Sequence, residues 1–253
     1  MYATERQQRI LRKARAEGRV DVASLAQNLG VATETVRRDL TSLERRGSLR
    51  RVHGGAIPVE RLEVEPSLAT RSGHLTGTKR RMAALVVDQI PADATVVLDS
   101  GSSALAVVDM LPPDRQLVVI TNSIAAANVL STYPGVTLYM LGGRVRGLTG
   151  AAVGEWTGEA LTGVVADVAI IGTNGMSVNR GLTTPDQAEA QVKSAMIACA
   201  RRVVLAADSS KVGDDHLHWF ADLGDIDVIV TDTDLPDDVA DEIRAAGPQV
   251  VTS

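Results

Sequence analysis

The chain has 253 residues, 45% of them hydrophobic and only 2% aromatic, with a formal net charge of -5. That length holds one large or two modest domains, and a core of Val, Leu, Ile and Ala suits parallel strands covered by helices. A single cysteine excludes a disulfide framework, and with no apolar h-region in MYATERQQRI and no run of about 18 apolar residues, a cytoplasmic protein without membrane contact is expected.

The charge is uneven along the chain. The first 58 residues hold 12 basic and 6 acidic side chains, against 14 basic and 25 acidic in the remainder, which is the balance of a nucleic-acid-binding head on an acidic body. Residues 4–17 read as a first helix, with a capping box from Thr4 to Gln7 and Ile10, Leu11 and Ala14 on one stripe. Asp21 is placed to cap a short second helix, in which Val22, Leu25, Ala26 and Leu29 recur at helical spacing before Gly30. A third helix from Thr33 turns Val36, Leu40 and Leu43 inward, leaving Arg38, Thr41, Ser42 and Arg45 outward and Thr35 and Arg37 on the flanks. Two helices joined by a short glycine-containing turn make a helix-turn-helix.

That geometry accounts for the arginines, because a helix entering the major groove needs long forked donors on its outer face. Beyond Gly47, SLRRVHGGA reads as a β-wing: Leu49 and Val52 face the core, while Arg50, Arg51 and His53 reach the DNA backbone or minor groove. The expected DNA-binding set is Thr33, Thr35, Arg37, Arg38, Thr41, Arg50, Arg51 and His53, with duplex DNA as partner.

LGVATETVRRDLTSLERRGSLRRVHGGA resembles the winged-helix signature of the DeoR family of bacterial transcriptional regulators, with Thr35, Arg37, Arg38, Asp39 and Leu40 in its core motif. Ala32 departs from it by standing where the family has a capping serine; Thr33 is expected to take over the cap. The resemblance implies a regulator, a repressor rather than an activator, that acts as a homo-oligomer, a dimer or tetramer.

Residues 58–77 lose periodicity and gain proline and glutamate, which reads as a linker between a head of residues 1–57 and a body of residues 78–253. From Thr78, apolar runs alternate with helical ones: TKRRMAALVVDQI, then TVVLD, SALAVVDML, LVVIT, IAAANVL, VTLYML, DVAIIG, AEAQVKSAMIACA, RRVVLAAD, IDVIVTD, DDVADEIRAA and QVVT. An α/β fold with a mainly parallel sheet and helices on both faces is expected. Cys199, in the eighth of these runs, reads as a small buried residue.

Ligands in such sheets sit beyond the C-terminal strand ends, where this chain is polar and glycine-rich in five places: DSGSSALA, TNSIAA, LGGRVRG, GTNG and SSK. The free N–H groups of the helix that Gly101, Ser102 and Ser103 open suit a phosphate, and Lys211 supplies a cation. The DeoR resemblance continues through TNS, LGGRVR, GLTTPDQAEAQVK and ADSSKVG, and this body is similar to ribose-5-phosphate isomerase and sugar-phosphate deaminases. It implies a phosphorylated sugar as effector and no other cofactor, with Asp99, Gly101, Ser102 and Ser103 at the phosphate, Thr121, Asn122, Gly142 and Gly143 lining the cleft, and Gly175, Thr183, Thr184, Glu189 and Lys211 around the sugar. The stretch GTNGMSVNRGLTTPDQAEAQVK is similar to members linked to fructose utilisation, which makes a phosphorylated fructose the first candidate. Two alternatives stay open. An isomerase or deaminase would use Asp99, Asp208 or Glu189 as general base, and a pure oligomerisation module would bind no ligand. Fusion to a DNA-binding head favours a sensor that kept the fold and lost the reaction, so no enzyme is expected. The pair His216 and His218 lacks a convincing third ligand, and no metal is expected.

Overall fold

In the computed structural model, which describes residues 3–45, 48–58, 65 and 67–253, the basic head is built as its periodicity predicts. Helices α1 (Ala3–Glu17), α2 (Val22–Leu29) and α3 (Thr33–Arg45) enclose a core of Ile10, Ala14, Val22, Leu25, Ala26, Val36, Leu40 and Leu43. Leu49 and Ala56 close that core from the wing, strands β2 (Leu49–Val52) and β3 (Gly55–Pro58), which pair antiparallel. Asp21 caps α2 by accepting the Ser24 N–H at 2.8 Å, and Gly30 ends it in the left-handed conformation at φ 64°. The side chains of Thr4, expected in the first capping box, and of Arg45, expected to point outward, lie outside the described residues.

Two details differ from the sequence reading. Strand β1 (Val20–Asp21) pairs with β3 and gives the wing a third strand, a two-residue element too short to show a period. Helix α3 already includes Thr33, and the carbonyl of Ala32 accepts the N–H groups of Thr35 and Val36 at 3.0 and 3.3 Å. Thr33 therefore lies inside the first turn and does not occupy the cap position expected of it.

Chain contacts divide the molecule into two units, Met1–Glu65 and Pro66–Ser253. The stretch read as linker contains a short helix, α4 (Leu68–Ser72), capped by Ser67, whose Oγ accepts the Thr70 N–H; the Leu68 N–H donates to the Leu148 carbonyl. After α5 (Thr76–Val87) come β4 (Thr95–Leu98), α6 (Ser102–Met110), β5 (Leu117–Thr121), α7 (Ile124–Leu130) and β6 (Val136–Met140). An antiparallel ribbon follows, β7 (Arg144–Arg146) with β8 (Ala151–Val153), and then α8 (Glu155–Glu159) and β9 (Val168–Ile171). The chain ends with β10 (Gly175–Ser177), β11 (Gly181–Thr184), α9 (Gln187–Ala198), β12 (Val203–Ala206), β13 (His218–Ala221), β14 (Val228–Thr231), α10 (Asp237–Ala245) and β15 (Gln249–Thr252).

Seven of these strands form one parallel sheet in the order β15-β14-β12-β9-β4-β5-β6, and all seven coincide with apolar runs in the sequence. The central strands β4, β9, β12 and β14 are apolar on both faces because both are covered. Val96 and Leu98 face α5, α6 and α7 with Met82, Val86, Val107 and Leu130, while Val97 faces the other layer with Val192 and Met196 of α9 and Ile243 of α10. A small antiparallel sheet, β10-β11-β13, completes that second layer through Met176, Leu182 and Phe220. The chain runs outward from β4 through β5 to β6, then returns to pair β9 on the other side of β4. The winding therefore reverses between β4 and β9, and in sheets of this kind ligands bind beyond the C-terminal strand ends at such a reversal.

Candidate nucleic-acid interface and effector crevice

On the head, Arg37 and Arg38 stand on the outer face of α3 with side chains 57% and 81% exposed. Glu34, three and four positions earlier, lies 3.6 Å from Arg37 and 3.8 Å from Arg38, and the three share one concavity with Thr41 and Arg51. Thr41 Oγ1 donates to the Arg37 carbonyl at 2.9 Å and accepts from Arg51 Nη1 at 3.1 Å, which ties wing to helix. The Arg51 N–H donates to Glu44 at 3.0 Å, and Arg19 Nη2 reaches the His53 carbonyl at 3.0 Å, so the wing tip is held from two sides. Arg50 is half-buried on β2, His53 is exposed in the β2–β3 turn, and Thr35 is half-buried beside the exposed Thr33. Asp39 is buried on the inner side of α3, where Arg6 Nε donates to it at 2.5 Å and Gln7 Nε2 at 2.9 Å. Its place in the motif is thus structural: a short acceptor at that position fastens α1 across the recognition helix.

In the body, the five polar loops expected to converge do end five neighbouring strands, β12, β9, β4, β5 and β6. Gly101, at φ 116°, turns the chain from β4 into α6, and no side chain caps the helix there. The first-turn N–H groups at Ser102 and Ser103 therefore remain available to an anion. Asp99, expected at the phosphate, is turned inward: Oδ2 accepts the Gly172 N–H from the end of β9 at 3.0 Å and pairs with Lys193 Nζ of α9. Lys193 also donates to the Gly172 carbonyl at 2.9 Å, so one buried ion pair fastens α9 across both sides of the reversal point.

The remaining predicted positions lie in five places. Thr121 and Asn122 end β5, fully enclosed; Asn122 Nδ2 donates to the Ala152 carbonyl at 3.0 Å, while its buried Oδ1 has no partner among the described residues. Gly142 and Gly143 follow β6 against α8, with the Gly142 carbonyl accepting from Thr157 Oγ1 at 2.7 Å. Gly175, Thr183 and Thr184 belong to the small antiparallel sheet, where Thr183 Oγ1 accepts the His216 N–H and Thr184 Oγ1 bonds Asn174. Glu189 is buried on α9, accepting from Thr149 Oγ1 at 2.6 Å and from Arg146 at 3.3 Å. Lys211 closes the turn after β12 and is half-exposed; its neighbour Asp208 accepts from Ser210.

Family models match both units: the DeoR-like helix-turn-helix domain over residues 6–61 and the DeoR C terminal sensor domain over residues 75–233. The chain belongs to the DeoR family. This DeoR-family chain is 35% identical over 251 residues to the HTH-type transcriptional regulator GlpR of Haloferax volcanii, covering 99% of this chain and 98% of that one. It is 32% identical over 233 residues to the HTH-type transcriptional repressor GlcR of Bacillus subtilis, covering 92% and 89%. Ribose 5-phosphate isomerase A from Neisseria gonorrhoeae is similar over 53% of this chain and 52% of its own, with 15% identity and a TM-score of 0.40. The protein is a DNA-binding transcriptional regulator with a C-terminal sensor domain. Among the described residues, no helix is long and apolar enough to cross a membrane.

Four residues central to this DeoR-family body escaped the sequence reading. Lys193 stands four residues after Glu189, on the same face of α9, and that spacing was the available signal. Arg146 and Thr149 sit in the LGGRVRGLTG segment and reach α9, where Arg146 Nε also pairs with Asp186 at 3.1 Å. Burial of the Asp186 carboxyl works against its ionisation, but the Glu189 N–H it accepts and the Arg146 guanidinium outweigh that and hold its pKa below the usual value. Lys79 is buried at the start of α5, donating to the carbonyls of Arg71 and His74 at 2.5 and 2.7 Å. Burial lowers its pKa, Asp208 opposes that, and Lys211 and Arg71 add to it, which places Lys79 in the electrostatic field of the loop after β12.

Proposed function

We propose that this regulator represses a carbohydrate-metabolism operon, reading duplex operator DNA with α3 and the wing and releasing it according to a phosphorylated sugar bound in the crevice. The observation that carries the effector half is the uncapped N-terminus of α6 at the winding reversal, where backbone N–H groups and the Ser102 and Ser103 hydroxyls suit a phosphate, with Lys211 two strands along the same edge. Asn122 Oδ1, a buried acceptor without a partner among the described residues, suits a sugar hydroxyl. A relative from Escherichia coli K12, 29% identical over 236 residues and covered to 93% on both chains, is named the glycerol-3-phosphate regulon repressor, which agrees with a phosphorylated effector.

On the DNA side, Thr33, Thr35, Arg37, Arg38 and Thr41 are the groove-facing set, and Arg50, Arg51 and His53 the backbone contacts. The sensor reading is favoured over an enzyme because the three candidate bases have other partners: Asp99 holds Lys193, Glu189 holds Arg146 and Thr149, and Asp208 holds Ser210. We take the working form to be a cytoplasmic homo-oligomer, since paired heads are needed to read half-sites about 34–36 Å apart. A panel of sugar phosphates, scored by release of the full-length protein from DNA selected out of a random duplex library, tests the proposal. Release by one phosphorylated sugar and not by its unphosphorylated form is the expected result. No response to any phosphorylated compound, with DNA binding intact, would overturn the effector assignment.

A further inference from the structure

The recognition helix carries three carboxylates, and the structure gives two of them plain structural work. Asp39 is buried against Arg6 and Gln7 of α1, and Glu44 accepts the Arg51 N–H of the wing. Glu34 is different. Its side chain is 60% exposed in the first turn of α3, and its ion pairs are with Arg37 and Arg38, the two outward arginines of the same face. The concavity these three form with Thr41 and Arg51 is the surface a major groove would meet.

A carboxylate on a surface that meets phosphates is repelled unless it finds a donor there. Major-groove donors are the amino groups of cytosine and adenine. Adenine presents its N6 beside the N7 acceptor, which a carboxylate opposes; cytosine presents N4 beside a C–H edge, so cytosine fits better. Arginine at the same time matches guanine O6 and N7. Acceptor and donors held within 4 Å of each other thus mirror the edge of a G·C pair or of two neighbouring pairs.

We propose that Glu34 is a specificity-determining residue that accepts a hydrogen bond from cytosine N4 while the adjacent arginine forks donate to guanine. This rests on the reading of α3 as the DNA-contacting helix and names one base that it selects.

The test is selection of full-length wild-type, Glu34→Ala, Glu34→Gln and Arg38→Ala proteins on a random-core duplex DNA library, followed by affinities for the wild-type consensus and for that consensus with single pairs exchanged. Wild-type protein is expected to enrich one cytosine in each half-site, next to a guanine. Glu34→Ala should lose the preference at that position alone, with about tenfold weaker binding to the consensus. Glu34→Gln should shift the same position toward adenine, since a carboxamide can serve both N6 and N7. Arg38→Ala, by contrast, should leave the cytosine preference in place. Because Glu34 is exposed and alanine favours helix, these variants keep the fold, which circular dichroism would verify. Unchanged base preferences in Glu34→Ala, with equal or tighter binding to every sequence, would overturn the proposal and leave Glu34 as a moderator of charge. Failure of the wild-type protein to enrich any sequence would overturn the DNA-reading role of α3 itself.

Discussion

Gly143 and Gly142 look alike in sequence, yet only one is sterically constrained. A Cβ on Gly143, at φ 148°, would sit 2.1 Å from Thr157 Oγ1 and 2.9 Å from the Val153 carbonyl, whereas one on Gly142 would meet nothing within 4 Å. Gly143→Ala should therefore cost about 1–3 kcal/mol and lower the melting temperature, with Gly142→Ala near neutral; thermal denaturation of the pair decides it. Lys211 is the residue-scale test of the anion site. Replacing it by alanine should weaken a phosphorylated sugar far more than the same sugar without phosphate, because only the former loses a charge-assisted bond. Equal losses in calorimetric titrations would make Lys211 structural. Cys199, half-buried, has its thiol pKa raised by burial, and its Sγ contacts the Met196 carbonyl, as suits a packing residue more than a reactive one.

At the scale of elements, α9 ties the body together. Its cap Asp186 and its Glu189 hold the β7–β8 segment through Arg146 and Thr149, and one turn later Lys193 holds the loop after β4 through Asp99. Lys193 and Asp99 are 6% and 1% exposed, so Lys193→Met leaves a buried carboxylate alone and should destabilise the protein by about 3–5 kcal/mol. Adding Asp99→Asn should restore much of that, because the amide oxygen still accepts the Gly172 N–H while the lone charge is gone; chemical denaturation of the two variants tests this. Asp186 gives the same junction an acid sensitivity. With its folded pKa lowered, its contribution is present above about pH 4, the unfolded value, and is lost as pH falls through the folded one. Asp186→Asn should flatten that part of the acid-unfolding curve, and a curve unchanged from wild type would show that the Arg146 pairing adds nothing.

For the whole molecule, a regulator of this kind must bind its effector with different affinity in the DNA-competent and DNA-incompetent states. Linkage then makes the two effects equal: the factor by which effector changes operator affinity is the factor by which operator changes effector affinity. A coupling of about 1–3 kcal/mol, or roughly 5- to 150-fold, is expected. Titrating full-length protein with selected DNA at zero and saturating effector, with Lys211→Ala as the insensitive control, measures it. Identical DNA affinity in both conditions would separate ligand binding from regulation.

The amino-acid sequence by itself determined the helix-turn-helix, the seven parallel strands and the row of polar loops at their ends. Each of these follows from local periodicity or from a residue type at a strand end, as with Val36, Leu40 and Leu43 on α3 or the run TVVLD of β4. Strands β1, β7, β8, β10, β11 and β13 were beyond it, because they pair antiparallel outside the alternation of apolar and helical runs that marks the seven sheet strands. Partner choice was beyond it as well. Whether Asp99 caps α6 or pairs with Lys193, 94 residues away, and whether Glu189 faces solvent or Arg146, depends on the order of strands in the sheet. That order is set by packing two apolar layers against one sheet, a tertiary condition that no local window contains.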